Sequence, residues 1–127
     1  MTDFGVAYLA WRETRLTQTG AILGTTVYLS PEAWRGEELN MGSDVWSFGS
    51  VLYEMLAGRP PFAAESVIAI MTAILNEPPP DLRTFRPDTP PALVELIKHM
   101  LVKDRSLRID SMRQVAAGLE VIQRSLD

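Results

Sequence analysis

The first residues that could do chemistry are Asp3, Phe4 and Gly5, which form an Asp-Phe-Gly triplet near the start of the chain. The carboxylate of Asp3 is a hard oxygen ligand of the kind that Mg²⁺ prefers. An aromatic ring can pack behind that carboxylate, and a glycine supplies a hinge at which the backbone can turn. An isolated three-residue string also fits an ordinary loop, so the remaining sequence must decide between the two interpretations.

Other reactive side chains are scarce, and this excludes several kinds of site. The chain has no cysteine, so disulfides, thiol nucleophiles and cysteine-based metal sites are excluded. Its only histidine, His99, has no converging ligands near it in the sequence, and we interpret it as a surface or packing residue. The three tryptophans lack interleaved basic residues, so we interpret them as packing residues rather than as a platform for nucleic-acid bases.

Length and composition indicate one soluble domain. The chain has 127 residues, of which 46% are hydrophobic and 22% are charged, and this is enough to bury one core. The formal net charge of -4 argues against nucleic-acid binding. There is no basic segment followed by an apolar run, and no apolar stretch is long enough to cross a bilayer. We therefore predict a cytoplasmic protein with no membrane segment.

The elements that must position these side chains are predicted to be mainly helical. Residues 1–29 lack sustained periodicity and are predicted to be a long ordered loop. Ser30 can cap a short helix that ends near Gly36. A proline-punctuated connector is predicted over 78–91. Further helices are predicted over 65–76, 92–101 and 110–126.

The strongest predicted helix lies in the middle of the chain. Ser43 can cap it, Asp44 lies in its first turn, and Gly58 ends it. Apolar residues occupy nearly every side of this helix, which predicts that it is central and buried.

Four segments together carry a resemblance to a known family. They are 24–32 (GTTVYLSPE), 43–49 (SDVWSFG), 52–62 (LYEMLAGRPPF) and 96–108 (LIKHMLVKDRSLR). In sequence and spacing, and with the Asp-Phe-Gly triplet before them, they resemble the eukaryotic-type serine/threonine protein kinases, especially the bacterial members. Two positions depart from the family pattern: Ser30 stands where alanine is usual, and Arg105 stands where proline is usual.

The resemblance covers essentially the whole chain and implies the helical C-terminal lobe of a kinase domain. In that interpretation residues 1–127 are a partial kinase domain, with the activation segment over 1–32 and about five helices over 33–127. The N-terminal lobe and the catalytic loop precede the Asp-Phe-Gly triplet in this family, and the 127 residues contain neither.

The resemblance assigns roles to residues of the activation segment. Asp3 is expected to be a magnesium ligand, with Phe4 and Gly5 as its structural companions. Thr17 and Thr19 lie where the family commonly carries regulatory phosphorylation. Thr25 is expected on the substrate side, beside the catalytic aspartate, where it helps to select a hydroxyl-bearing acceptor. For Asp3 and the threonines, the plain alternative is an unmodified polar loop.

The resemblance also assigns roles to residues of the helical part. Asp44 is expected to anchor the backbone of the catalytic loop, and Glu32 is expected to pair with Arg108. Glu54 matches a position that binds basic residues of substrates in some kinases. The plain alternatives are a helix-dipole acid for Asp44, two independent surface charges for the pair and a solvated glutamate at position 54.

Two hypotheses remain for the chain as a whole. In the first it is part of an active kinase whose full-length form binds ATP and Mg²⁺, while this fragment binds neither and is inactive alone. In the second it is a freestanding non-catalytic module that binds a kinase or another protein. The first hypothesis predicts apolar surface left uncovered around the central helix, through which the chain self-associates or contacts the missing N-terminal half. Its expected partners are that half and a protein substrate.

Overall fold

The structure is a computed structural model, and it describes residues 26–126. Six α-helices make up this part of the chain, and it contains no β-strand. The helices are α1 (Pro31–Trp34), α2 (Met41–Ala57), α3 (Val67–Asn76), α4 (Leu82–Phe85), α5 (Pro91–Met100) and α6 (Met112–Leu126). The predicted mainly helical fold is therefore confirmed.

Helix α2 forms the centre of the fold, as its apolar sequence predicted. It packs against α4, α5 and α6, while α3 packs against α1. The side chains that α2 buries in the core are Val45, Trp46, Phe48, Leu52 and Tyr53. Helix α6 contributes a single apolar face through Val115, Leu119 and Ile122, which recur at the spacing of one helical stripe.

The start of α2 differs from the prediction that Ser43 caps it. Asn40 is the N-cap, and its Oδ1 accepts hydrogen bonds from the backbone N–H of Gly42 at 2.9 Å and of Ser43 at 3.3 Å. The Ser43 hydroxyl accepts in return from the backbone N–H of Asn40 at 3.4 Å, which completes a capping box. The helix therefore starts earlier than predicted, and Asp44 still lies in its first turn.

Other helix boundaries follow local chemistry. Ser30 caps α1 as predicted, accepting from the backbone N–H of Ala33 at 3.3 Å. Gly58 ends α2 with φ of 81°, a left-handed conformation that favours glycine. Helix α4, inside the predicted connector, was not expected; it is one short turn that Asp81 caps by accepting from the backbone N–H of Arg83 at 3.0 Å. None of the helices within residues 26–126 combines the length and apolarity needed to cross a bilayer.

Candidate functional site

A buried ion pair joins the start of α1 to the loop before α6. Arg108 Nη1 lies 2.7 Å from Glu32 Oε2, and Arg108 Nη2 lies 2.9 Å from Glu32 Oε1. The two side chains are only 0% and 2% exposed. The structure therefore brings together Glu32 and Arg108, which are separated by 76 positions in the sequence, as a two-pronged fork.

The fork is fully satisfied by hydrogen bonds. Arg108 uses its remaining N–H groups on three backbone carbonyls: those of Val102 at 2.7 Å, Gly42 at 2.9 Å and Lys103 at 3.1 Å. The Ser43 hydroxyl donates to Glu32 Oε2 at 2.7 Å. A buried charge is tolerated when it is paired and when its other donors or acceptors have partners. The first turn of α2 thus contributes to the same anchor through Gly42 and Ser43.

The charge of Glu32 depends on this environment. Burial alone would raise the pKa of the Glu32 carboxyl, but hydrogen bonds from Arg108 and Ser43 lower it to about 2. Glu32 is therefore ionised in the folded chain over the whole neutral and mildly acidic range.

An aromatic pair, Trp46 and Phe62, lies beside the guanidinium group of Arg108. The guanidinium carbon of Arg108 lies 5.2 Å from the ring centroid of Trp46. The rings of Trp46 and Phe62 stack at 5.7 Å with an interplanar angle of 9°. Contacts of this kind between an arginine and a desolvated aromatic face add cation–π attraction to the ion pair.

A second polar link ties the segment before α1 to the middle of α2. The Tyr28 hydroxyl donates to Glu54 Oε1 at 2.5 Å, and the Ser47 hydroxyl donates to the Tyr28 carbonyl at 2.7 Å. Burial, together with the hydrogen bond to Glu54 and its negative charge, raises the pKa of Tyr28. Glu54 is half-buried and accepts a hydrogen bond from Tyr28. It therefore differs from the solvated glutamate of the plain alternative.

Asp44 lies beside an open cleft at the start of α2. The cleft has a volume of about 430 Å³, and the residues that line it include Leu29, Ser30, Asn40, Asp44 and Ser47. The cleft therefore lies between the segment before α1 and the first turns of α2. The predicted anchoring of a catalytic loop by Asp44 stays a prediction.

Six of the predicted site residues fall outside the described part of the chain. They are Asp3, Phe4, Gly5, Thr17, Thr19 and Thr25. Their assigned roles stay predictions. Within residues 26–126 no group of three or more histidine, aspartate or glutamate side chains is placed to hold a metal ion.

The sequence interpretation missed several residues of the Glu32–Arg108 fork and of the link between Tyr28 and Glu54. Ser43 was expected to be the N-cap of α2; its hydroxyl completes the capping box with Asn40, and it also donates to Glu32, which was not expected. Tyr28, Ser47 and Lys103 were given no role, although each makes a long-range hydrogen bond. Only Lys103 had a usable signal: the helix that it contacts ends at three prolines, which cannot supply backbone N–H donors.

Comparison with known proteins gives the family. Residues 1–118 match the protein kinase domain family. The chain is 40% identical over 111 residues to the serine/threonine-protein kinase PknA of Mycobacterium tuberculosis, covering 87% of this chain and 25% of that protein. It is 39% identical over 118 residues to the serine/threonine-protein kinase PknB of Mycolicibacterium smegmatis, covering 92% of this chain and 19% of that protein.

A third relative agrees with these two. The chain is 36% identical over 119 residues to a probable serine/threonine-protein kinase of Streptomyces coelicolor, covering 93% of this chain and 18% of that protein. The chain thus spans a quarter or less of the length of these curated relatives. The helical fold, the buried Glu32–Arg108 fork and these matches agree, and the chain belongs to the protein kinase domain family, as part of a serine/threonine kinase domain.

Proposed function

We propose that this chain is the substrate-side part of a domain that transfers the γ-phosphoryl group of ATP to serine or threonine residues of cytoplasmic proteins. The observation that carries the proposal is the buried fork between Glu32 and Arg108. Enzymatic phosphoryl transfer depends mainly on positioning and on electrostatic stabilisation. Every N–H group of the Arg108 side chain has an acceptor, so the fork holds the end of the proposed activation segment rigidly against the helices. We propose that a protein substrate docks on this surface.

The chemistry at the phosphate would come from parts outside the described residues. When bound, ATP and Mg²⁺ supply the phosphoryl group and the positive charge that stabilises its transfer. Asp3 is the proposed magnesium ligand, with Phe4 and Gly5 as its structural companions. Thr25 is proposed to lie on the substrate side, beside the catalytic aspartate, and to help select a hydroxyl-bearing acceptor. Asp44, at the cleft that opens at the start of α2, is the proposed anchor of the catalytic loop.

Thr17 and Thr19 are proposed sites of regulatory phosphorylation. Each new phosphate would add nearly two negative charges to the activation segment, and such a charge orders a loop when an arginine is available to pair with it. The arginine that usually plays this role in the family lies before the catalytic aspartate, so we expect the switch to work only in the complete domain.

Taken alone, the 127-residue chain is proposed to be inactive and to bind neither ATP nor Mg²⁺. Its sequence has no glycine-rich phosphate loop, no ATP-pairing lysine and no catalytic-loop aspartate. The proposal that the active domain includes further segments is supported by an apolar groove of about 310 Å³ between α2, α5 and α6. Its walls include Leu52, Met55, Leu93, Ile122 and Leu126, and the side chains of Met55 and Leu126 are 69% and 65% exposed. We propose that another part of the kinase domain covers this groove, and that the isolated chain self-associates through it.

The complete kinase domain provides the test of the proposed activity. Extending the reading frame upstream of Met1 should yield a domain that phosphorylates serine and threonine residues, whereas the 127-residue chain alone should transfer no phosphate. Asp3→Asn in that domain should lower activity by at least about 10- to 100-fold, since that is the cost of losing even a residue that only supports a metal ligand. Asp88→Asn is the matched control, since Asp88 pairs only with the exposed Arg86 within residues 26–126.

Two results would contradict the proposal. One is phosphate transfer that is unchanged in the Asp3→Asn domain. The other is a stop codon directly upstream together with an isolated chain that is a monomer and unfolds cooperatively, which would favour a freestanding non-catalytic module.

Glu54 is proposed to bind a basic residue of the substrate. The Tyr28 hydroxyl fixes one carboxylate oxygen, so the negative charge is held in place on the surface of the central helix. In the complete domain, Glu54→Gln should raise KM about tenfold for a peptide with arginine beside the acceptor residue, since one charge-assisted contact is lost. A peptide without basic residues should show the same KM with either enzyme.

Glu95→Gln serves as the control for the Glu54 experiment, because Glu95 is exposed and its only ion pair among the described residues is with Lys98. Equal losses on both peptides would assign Glu54 a purely structural role.

A further inference from the structure

After Glu77, no backbone N–H group is available from the next three residues to bond the last carbonyl groups of α3. Pro78, Pro79 and Pro80 follow the helix almost directly, and proline has no backbone N–H. The carbonyl of Ala73 still accepts from the backbone N–H of Glu77 at 2.9 Å. The next carbonyl, that of Ile74, would take its bond from residue 78, which is a proline, so it needs a donor from elsewhere.

Lys103 supplies that donor from the loop between α5 and α6. Its Nζ lies 2.6 Å from the carbonyl oxygen of Ile74 and 3.4 Å from that of Ala73. A cation at this position also interacts favourably with the negative end of the helix dipole. The ammonium group lies 4.5 Å from the ring centroid of Phe62 and 5.6 Å from that of Trp46, so it contacts the same aromatic pair that supports Arg108.

Lys103 is half-buried, so its ammonium group is partly removed from water. Burial is the main cause that lowers the pKa of Lys103 to about 8; Glu77 opposes this effect and Arg35 adds to it. At pH 7 Lys103 is therefore still charged but has lost much of its hydration. Such a group depends on the carbonyls and rings around it.

Lys103 is also connected directly to the buried fork. Its backbone carbonyl accepts from Arg108 Nη2 at 3.1 Å, the same nitrogen that donates to Glu32. One loop residue thus holds α3 with its side chain and Arg108 with its carbonyl. We propose that Lys103 is a cap in trans that couples the carboxyl end of α3 to the Glu32–Arg108 fork, so that loosening one loosens the other.

Amide hydrogen exchange on the full chain at pH 7 tests the cap. Lys103→Met keeps the length of the side chain but removes its N–H donors, and it should raise the exchange rate at the Glu77 amide about tenfold. Exchange at the amides of Ala33 and Trp34, in α1, should rise as well because of the coupling. Lys103→Arg keeps the cation and its donors and should preserve the protection. Lys98→Met is the control, because Lys98 is exposed and pairs only with Glu95 among the described residues.

A second pair of variants separates capping from general destabilisation. Pro78→Ala restores a backbone N–H after α3, so the increase in exchange caused by Lys103→Met should be smaller when Pro78→Ala is also present. The proposal is overturned if Lys103→Met leaves exchange at Glu77 unchanged, or raises exchange equally in α3 and in α6. It is also overturned if the effect of Lys103→Met is the same with and without the Pro78→Ala substitution.

Discussion

Arg108→Met is expected to lower the free energy of unfolding by about 3–5 kcal/mol, the usual cost of removing one partner from a buried ion pair. The substitution leaves the Glu32 carboxylate 2% exposed without its counter-charge. It also removes the donors to the carbonyls of Val102, Gly42 and Lys103. Small domains are stable by only about 5–15 kcal/mol in total, so this loss is large. Urea denaturation of the complete kinase domain, followed by circular dichroism, measures it.

Two comparisons separate the ion pair from a general loss of packing. Arg86→Met removes an arginine from an exposed pair and should cost less than about 1 kcal/mol. Combining Arg108→Met with Glu32→Gln should cost less than the sum of the two single substitutions, because no uncompensated charge remains. Strict additivity would contradict the proposed pairing energy.

The same pair predicts a specific loss of stability in acid. The pKa of Glu32 falls from an ordinary value of 4.5 to about 2 in the folded chain. Its contribution is therefore complete above the unfolded-state pKa and is lost as the pH falls from about 4.5 towards 2. The full loss is about 3 kcal/mol and is reached only near pH 2. Between pH 6 and pH 3 about 2 kcal/mol of it should appear, and the Glu32→Gln variant should lack this loss.

The helices could be predicted from the sequence because their signals are local. Gly58 ends α2 and Ser30 caps α1 as expected, since each acts on the backbone within a few residues. The start of α2 was misplaced because Asn40 and Ser43 are both good capping residues three positions apart. In the capping box each accepts from the backbone of the other, so composition alone does not say which one begins the helix.

The site was less predictable because its contacts are long-range. Nothing in the residues around Glu32 or Arg108 indicates that they meet across 76 positions; only the resemblance to kinases suggested it. The hydrogen bond from Tyr28 to Glu54 had no signal of any kind. Helix α4 was hidden by the prolines around it, although Asp81 caps it and Leu82 anchors it in the core. The helix is four residues long, and periodicity cannot be read from one turn.

Gly49→Ala is expected to destabilise the fold by about 2 kcal/mol, although alanine favours helices. A Cβ at position 49 would lie 2.8 Å from the Cβ of Met100 and 3.3 Å from Leu101 Cδ2. The Cβ of Met100 is fixed to the backbone at the end of α5, and both neighbours are buried, so the contact can be relieved only if α5 moves away from α2. Overpacking of this kind costs about 3 kcal/mol, and the gain in helix propensity returns about 1 kcal/mol.

Gly118→Ala is the matched control, because it makes the same change inside α6. A Cβ there would meet only the ends of the Leu96 side chain, at 3.2 and 3.4 Å, and a flexible side chain can move by that amount. The free energy of unfolding should therefore stay equal or rise by up to about 1 kcal/mol. If Gly49→Ala also left stability unchanged, α2 and α5 would not be in close contact at Gly49 and Met100. Because α2 carries Gly42 and Ser43 to Arg108 and Glu32, that contact also sets where the buried Glu32–Arg108 fork lies.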